Sequence, residues 1–131
     1  MRIRQLIATS AIALTLIVLT GCRSAHIQNI QNAPVTPTVA EVTMEQVKDV
    51  MIRAGSELGW RMRPIEPGHM EATLRIRAHM AKVDINYDTD SYDITYKDSN
   101  NLNQKGNEIH SNYNGWIRNL DNAIQKQIAM L

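Results

Sequence analysis

The chain has 131 residues, with 14 Lys and Arg against 13 Asp and Glu, and a single cysteine. This length suits one small domain with a modest core and argues against a second domain. Because nucleic-acid-binding proteins normally present a basic surface, the near balance of charge argues against a nucleic-acid partner.

Residues 1–21 have the charge and hydropathy profile of a signal peptide. Arg2 and Arg4 precede an apolar stretch from Leu6 to Thr20. The stretch is about 15 residues long, short of the roughly 20 that a permanent membrane-spanning helix needs. We therefore expect cleavage, which removes two of the 14 basic residues and leaves a mature chain of 12 basic and 13 acidic residues, a formal charge of −1.

The sole cysteine stands at the end of the apolar stretch, in the sequence Leu19-Thr20-Gly21-Cys22. This sequence resembles the lipobox of bacterial lipoproteins and, with the exported domain, the small envelope lipoproteins of proteobacteria. The resemblance covers only the first 22 residues. It implies cleavage between Gly21 and Cys22, a diacylglycerol on the Cys22 sulfur and an acyl chain on its amino group. The alternative is a plain signal peptide or an uncleaved anchor with an incidental cysteine.

The resemblance also implies a location. Arg23 stands where an aspartate would favour retention at the inner membrane. Arg23 in place of that aspartate therefore implies a lipid anchor in the outer membrane, with the domain facing the periplasm. Two or three acyl chains give stable attachment, whereas one would be marginal.

Residues 22–40 are predicted to be the lipidated cysteine and a flexible tether. The segment is rich in Ser, Gln, Asn and Thr, contains Pro34 and Pro37, and shows no sustained apolar period. Such a composition is typical of disordered linkers.

A single domain is predicted for residues 41–131, beginning with a helix from about 43 to 58. Thr43 and Gln46 form a capping-box pattern, and Gly59 is a plausible stop. Apolar residues recur between them at helical spacing: Val47, Val50, Met51, Ala54 and Leu58.

Alternation of apolar and polar residues then predicts four antiparallel strands in a meander. They cover residues 60–64, 70–78, 83–87 and 92–96, separated by turns at 67–68, 78–81 and 88–91. Apolar residues move from even to odd positions after His79, which marks a tight hairpin or a bulge.

Residues 98–107 are predicted to be a polar loop, and residues 109–131 a second amphipathic helix. The resulting fold is α+β, a four-stranded antiparallel meander with an N-terminal and a C-terminal helix packed on one face. The other face would carry charges of both signs: Arg75, Arg77, Lys82, Asp84, Asp93 and Lys97.

The densest polar and aromatic group in the sequence is His110, Tyr113, Asn114 and Trp116. An aromatic anchor beside hydrogen-bonding side chains suits a binding patch for a partner or ligand. The competing interpretation, which we favour, is helix entry and core anchoring, with Gly115 allowing close approach to the sheet.

Neither a metal site nor a catalytic site is predicted. His69, His79 and His110 do not have the spacing of a zinc site. Ser91, Ser99 and Ser111 fit turns and caps, and the six glycines are too scattered for a phosphate loop. We therefore expect no cofactor apart from the covalent lipid, and no enzyme activity.

The sequence thus favours a non-catalytic module that binds an envelope protein or serves envelope assembly, anchored to the membrane by its lipid. The alternative is a carrier that holds a small molecule or lipid between sheet and helices, and a small enzyme is the third choice. The sequence leaves the oligomeric state open.

Overall fold

A computed structural model describes residues 23–131. The predicted signal peptide, its cleavage site and Cys22 lie outside these residues. The described chain is α+β, with two helices, a five-stranded antiparallel sheet and a separate two-stranded ribbon.

The elements follow one another as β1 (Ser24–His26), β2 (Ile30–Pro34), α1 (Met44–Glu57), β3 (Arg61–Glu66), β4 (His69–Ile76), β5 (His79–Tyr87), β6 (Ser91–Asn100), β7 (Glu108–His110) and α2 (Asn112–Ala129). The five-stranded sheet has the order β2-β6-β5-β4-β3, and β1 pairs with β7 in the ribbon. The four predicted strands are therefore present as the meander β3 to β6, but the sheet gains a fifth strand at the β6 edge.

Helix α1 forms where its caps predict. The Thr43 hydroxyl accepts a hydrogen bond from the Gln46 amide, and the Gln46 side chain accepts one from the Thr43 amide. At the other end Gly59 has φ +88°, and Trp60 N–H donates to the Gly55 carbonyl. This left-handed ending satisfies the last carbonyls and turns the chain directly into β3.

A two-residue turn explains why apolar residues move from even to odd positions near His79. Ile76 pairs with His79, so Arg77 and Ala78 alone connect β4 to β5. Arg77 adopts φ +54° in this turn and so does not belong to the outer sheet face on which it was predicted. Even positions of β4 and odd positions of β5 thus share the inner face.

The prediction of a flexible tether over residues 22–40 is wrong for residues 24–35. Ser24 pairs with His110, Ile30 pairs with Ile94, and the Val35 amide donates to the Asp90 carbonyl. Composition alone indicated disorder, but the exposed edge of β6 and the strand before α2 supply hydrogen-bonding partners that lie 55 to 86 positions away. The same pairing converts the start of the predicted second helix into β7.

One core lies between the helices and the inner face of the sheet. It includes the completely buried side chains of Val47, Met51, Met70, Val83, Ile85, Leu120 and Ile124. α1 runs against α2 and packs on β3 at Gly55, where an added Cβ would lie 2.2 Å from the Met62 sulfur. Both helices therefore cover one face, and the other face stays open.

Candidate functional site

The structure divides the predicted patch of His110, Tyr113, Asn114 and Trp116 between the interior and the surface. Tyr113 is completely buried and Asn114 is nearly so, whereas His110 and Trp116 are half-buried. The Tyr113 ring packs edge-on against Tyr96, with 5.7 Å between ring centres. Tyr113 and Asn114 are thus inaccessible to a partner in the folded domain.

Asn114 is a clamp for the N-terminal segment. Its side-chain oxygen accepts a hydrogen bond from the Gln28 amide at 3.0 Å, and its amide nitrogen donates to the His26 carbonyl at 2.8 Å. These two bonds fix the chain where it passes from β1 to β2. The structure gives Asn114 a structural role that sequence spacing did not indicate.

The remaining two residues of the patch also have local partners. The His110 Nδ1 accepts a hydrogen bond from the Asn112 amide at 3.1 Å, at the start of α2. The Trp116 ring lies 6.4 Å from the His79 ring at the end of the sheet. His110 and Trp116 are therefore the part of the predicted patch that remains at the surface.

The open face of the sheet carries a second group that is better placed for recognition. Its central side chains alternate with the core residues of the same strands and therefore point away from the helices. Register brings Arg61 of β3, Thr73 of β4 and Lys82 of β5 into one row. Arg63 and Glu71 form the adjacent row, and Arg75 lies beyond Thr73 on β4.

These side chains surround a shallow depression of about 330 Å³. We call Arg61, Arg63, Arg75 and Lys82 the basic cluster. Glu71 is the one acidic residue lining the depression. Four cations and one carboxylate give the depression a strong excess of positive charge, although the chain as a whole is nearly neutral.

The negative charge of Glu71 is already balanced by neighbouring cations. Its carboxylate accepts a hydrogen bond from the Arg63 guanidinium at 2.9 Å and lies 3.7 Å from the Lys97 ammonium. The bond from Arg63, helped by the charge of Lys97, holds the pKa of Glu71 below its usual range. Glu71 is therefore ionised at neutral pH and does not act as a proton donor there.

Asp84 belongs to the same ion-pair network, because Lys97 lies between its carboxylate and that of Glu71. Its carboxylate oxygen lies 2.7 Å from His69 Nε2 and 3.3 Å from the Lys97 ammonium. Partial burial by itself raises the pKa of Asp84, but the hydrogen bonds from His69 and Lys97 outweigh burial and lower it. Lys97 is thus shared between Glu71 and Asp84, and His69 is the second partner of Asp84.

Three members of the basic cluster form no ion pair within 4 Å among residues 23–131, although Asp98 of β6 stands opposite Lys82 in the register. Arg63 is paired with Glu71, but Arg61, Arg75 and Lys82 form no ion pair in this part of the chain. Arginine presents a planar fork of donors that matches carboxylate and phosphate oxygens. The basic cluster is therefore suited to bind an anionic group.

Sequence reasoning missed Arg61 and Arg63 as part of this surface. Both alternate with core residues in β3, but their position beside Arg75 and Lys82 depends on the register Arg61 to Thr73. The Pro67-Gly68 turn was visible in the sequence and could have supplied that register, since turn length fixes the pairing of a hairpin.

The three histidines that were considered as metal ligands lie apart. His69 pairs with Asp84, His79 Nδ1 bonds the Asn101 carbonyl at 2.7 Å, and His110 caps α2. Within residues 23–131 no group of three or more His, Cys, Asp or Glu side chains is close enough to hold a metal ion.

In the same part of the chain, no helix is both long and apolar enough to cross a membrane.

Comparison with known proteins finds no protein-family model, no curated protein and no solved structure that matches this chain. Function is therefore inferred from the residues of the chain itself.

Proposed function

We propose that this protein is a lipoprotein of the cell envelope, anchored in the outer membrane through lipid on Cys22, and that it is a non-catalytic binding module. Its binding surface is the basic cluster on the open face of the sheet, and its partner is an acidic surface of another envelope protein. The observation that carries the proposal is the group of unpaired cations, Arg61, Arg75 and Lys82, on a face that no helix of the described chain covers.

The energetics of such a surface favour recognition. Unpaired cations that repel one another contribute nothing to folding, whereas opposite charges across an interface speed encounter and select the partner. Arginine is also enriched at interfaces relative to the remaining surface. The neighbouring Thr73 hydroxyl is half-buried in the depression and adds a short-range hydrogen-bonding group.

The anchor is tested with a Cys22→Ser variant. In cells supplied with a labelled palmitate analogue, we expect the wild-type chain to take up label and to fractionate with membranes. The variant should do neither, because serine offers no sulfur for thioether formation. An equally labelled variant would overturn the lipid anchor on Cys22.

The binding surface is tested by cross-linking in cells followed by purification. The variant Arg61→Ala, Arg75→Ala, Lys82→Ala removes three positive charges from the basic cluster. The matched control, Lys105→Ala, Arg118→Ala, Lys126→Ala, removes three exposed charges elsewhere. We expect one acidic envelope protein to be recovered with the wild type and the control, and its recovery to fall at least tenfold with the cluster variant.

Equal recovery with both variants would overturn the basic cluster as the binding surface. A third variant, His110→Ala, Trp116→Ala, tests the surface part of the patch predicted from sequence. Loss of the partner in this variant alone would move the binding site to the end of the sheet near α2.

The carrier alternative has one observation in its favour. A mainly apolar depression lies between the start of α1 and the β3–β4 turn, lined in part by Met44, Pro64, Ile65 and Tyr87. Its volume of about 260 Å³ is smaller than that of a typical small-molecule site. A rise in melting temperature with a small apolar ligand, lost in an Ile65→Asp variant, would favour the carrier over the binding module.

A further inference from the structure

The described chain is tied to the domain from its first residue. The Arg23 carbonyl accepts a hydrogen bond from the Ser111 amide at 2.6 Å, and Ser24 is already paired with His110. Only Arg23 lies between Cys22 and β1. Two residues reach at most about 7 Å, so lipid on Cys22 would hold this part of the domain close to the bilayer.

Backbone and side-chain contacts show which residues share this end of the domain. His110 N–H donates to the Leu102 carbonyl, and the Asn101 carbonyl bonds the His79 ring. His79 in turn pairs with Ile76 across the β4–β5 turn. We call this the Arg23 end: Arg23, the start of α2, residues 101–102 and the turn at 76–79.

The Arg23 end presents exposed arginines beside apolar side chains. Arg23 and Arg77 are exposed at this end, and Ile76 is 37% exposed beside Arg77. Arg75 of the basic cluster lies one residue before this turn. Trp116 is half-buried next to His79. Three acidic residues lie in the elements of this end: Glu108, which accepts a hydrogen bond from the Ser24 hydroxyl at 3.4 Å, Glu57 at the end of α1, and Asp98 opposite Lys82 on β6. Basic side chains around an apolar residue and a tryptophan suit the headgroup region of a membrane.

The opposite end has the opposite character. It is formed by the turns after β3 and β5, the start of α1 and residue 131, which accepts a hydrogen bond from Thr38. We call it the Leu131 end. Its exposed acidic residues are Glu41, Glu45, Glu66, Asp88 and Asp90, against Lys48 and Lys126. An anionic bilayer surface would repel this end and attract the other.

We propose that the Arg23 end rests on the bilayer and contacts anionic phospholipid headgroups, so that the strands of the sheet stand upright on the membrane. This inference rests on the proposed lipidation of Cys22. The nine residues of β5 at about 3.3 Å each place the Leu131 end about 30 Å further from the lipid. Lys82, which shares a row with Arg61, lies three residues after the start of β5, about 10 Å along the strand from the β4–β5 turn. The basic cluster would therefore face sideways, at a fixed height above the headgroups.

The experiment uses the full lipidated chain. Since the only native cysteine carries the lipid as a thioether, a cysteine introduced elsewhere is the only free thiol. Ala78→Cys labels the Arg23 end, and Thr89→Cys is the matched label at the Leu131 end. Each is coupled to a donor fluorophore and reconstituted into vesicles of phosphatidylethanolamine and anionic phosphatidylglycerol that contain a headgroup-labelled acceptor lipid.

We expect energy transfer from position 78 to exceed transfer from position 89 several-fold. Adding Arg77→Glu to the Ala78→Cys variant, or replacing phosphatidylglycerol with phosphatidylcholine, should reduce that difference. Equal transfer from both positions would overturn the upright orientation, and an unchanged difference in both controls would overturn anionic headgroups as the contact.

Palmitate labelling of the same preparations separates the two proposals. A chain that takes up no label would overturn both the anchor and the orientation. A labelled, membrane-bound chain with equal transfer from the two positions would overturn the orientation alone and leave the lipoprotein assignment standing.

Discussion

The two faces of the central sheet are built from the same strands but do different things. On the inner face, Ala72, Val83 and Ile85 are completely buried beneath the helices. On the outer face, their neighbours Thr73, Lys82 and Asp84 remain partly accessible. Alternation along each strand thus buries one face in the core and leaves the other, which carries the proposed binding surface, accessible. Substitutions should separate these two roles.

The largest effect is expected at the centre of the inner face. Ile85→Ala removes three carbons from a completely buried site and should lower the free energy of unfolding by about 3 kcal/mol. Urea denaturation measures this difference. Lys82→Ala on the opposite face of the same strand is the matched control and should change it by less than about 0.5 kcal/mol. Similar losses in the two variants would contradict the division of roles.

The inner face was the part of the fold that sequence patterns predicted best. Alternation from Met70 to Ala78 and the capping box at Thr43 lie within single elements, where neighbours in sequence are neighbours in space. The four-stranded meander and both helices followed from these local signals. Because each helix and strand buries one of its faces, its apolar residues recur at a regular spacing that the sequence shows clearly.

The N-terminal strands could not be predicted in the same way. Ser24 to Pro34 is polar, and its order depends on β6, β7 and the Asn114 side chain, all distant in the sequence. The same holds for the candidate site, because Arg61 joins Lys82 only once register is known. Non-local hydrogen bonds leave no period in the sequence.

A substitution of Asn114 tests whether its two hydrogen bonds hold the N-terminal segment against the domain. Asn114→Ala removes both bonds of the clamp and leaves the Gln28 amide and His26 carbonyl without these partners. We expect a loss of about 2 kcal/mol in unfolding free energy. Hydrogen exchange should speed up at the amides of residues 24–30 more than in β4. Uniform acceleration, or none in residues 24–30, would show that the segment is held by other contacts.

A substitution of Tyr113 should change the unfolding free energy by less and in the opposite direction, as a gain. Its hydroxyl is buried and has no hydrogen-bond partner within residues 23–131, and burial together with the nearby Tyr96 raises the pKa of the phenol. Tyr113→Phe removes an unsatisfied polar atom while the ring and its contact with Tyr96 remain. We expect a gain of about 1 kcal/mol, measured by urea denaturation. A loss of stability would imply that the hydroxyl has a role beyond packing.

The smallest effect is expected on the outer face and depends on pH. The pKa of Asp84 in the folded protein lies below its ordinary value of 3.8, because hydrogen bonds from His69 and Lys97 outweigh partial burial. The ionised form therefore favours the folded state at pH values above the unfolded pKa. This contribution is lost as the pH falls below about 4 and through the folded pKa.

Asp84→Asn removes the titrating group and keeps an oxygen that can accept the bond from His69. At pH 6 the variant should be less stable than wild type by under about 1 kcal/mol, since the site is partly exposed. Below pH 4 the two proteins should converge, which denaturation at pH 6 and pH 2.5 would measure. Asp93→Asn is the matched control, because no pairing with a cation is found for Asp93 within residues 23–131. A difference that persists at low pH would mean that Asp84 stabilises the sheet through geometry and not through its charge.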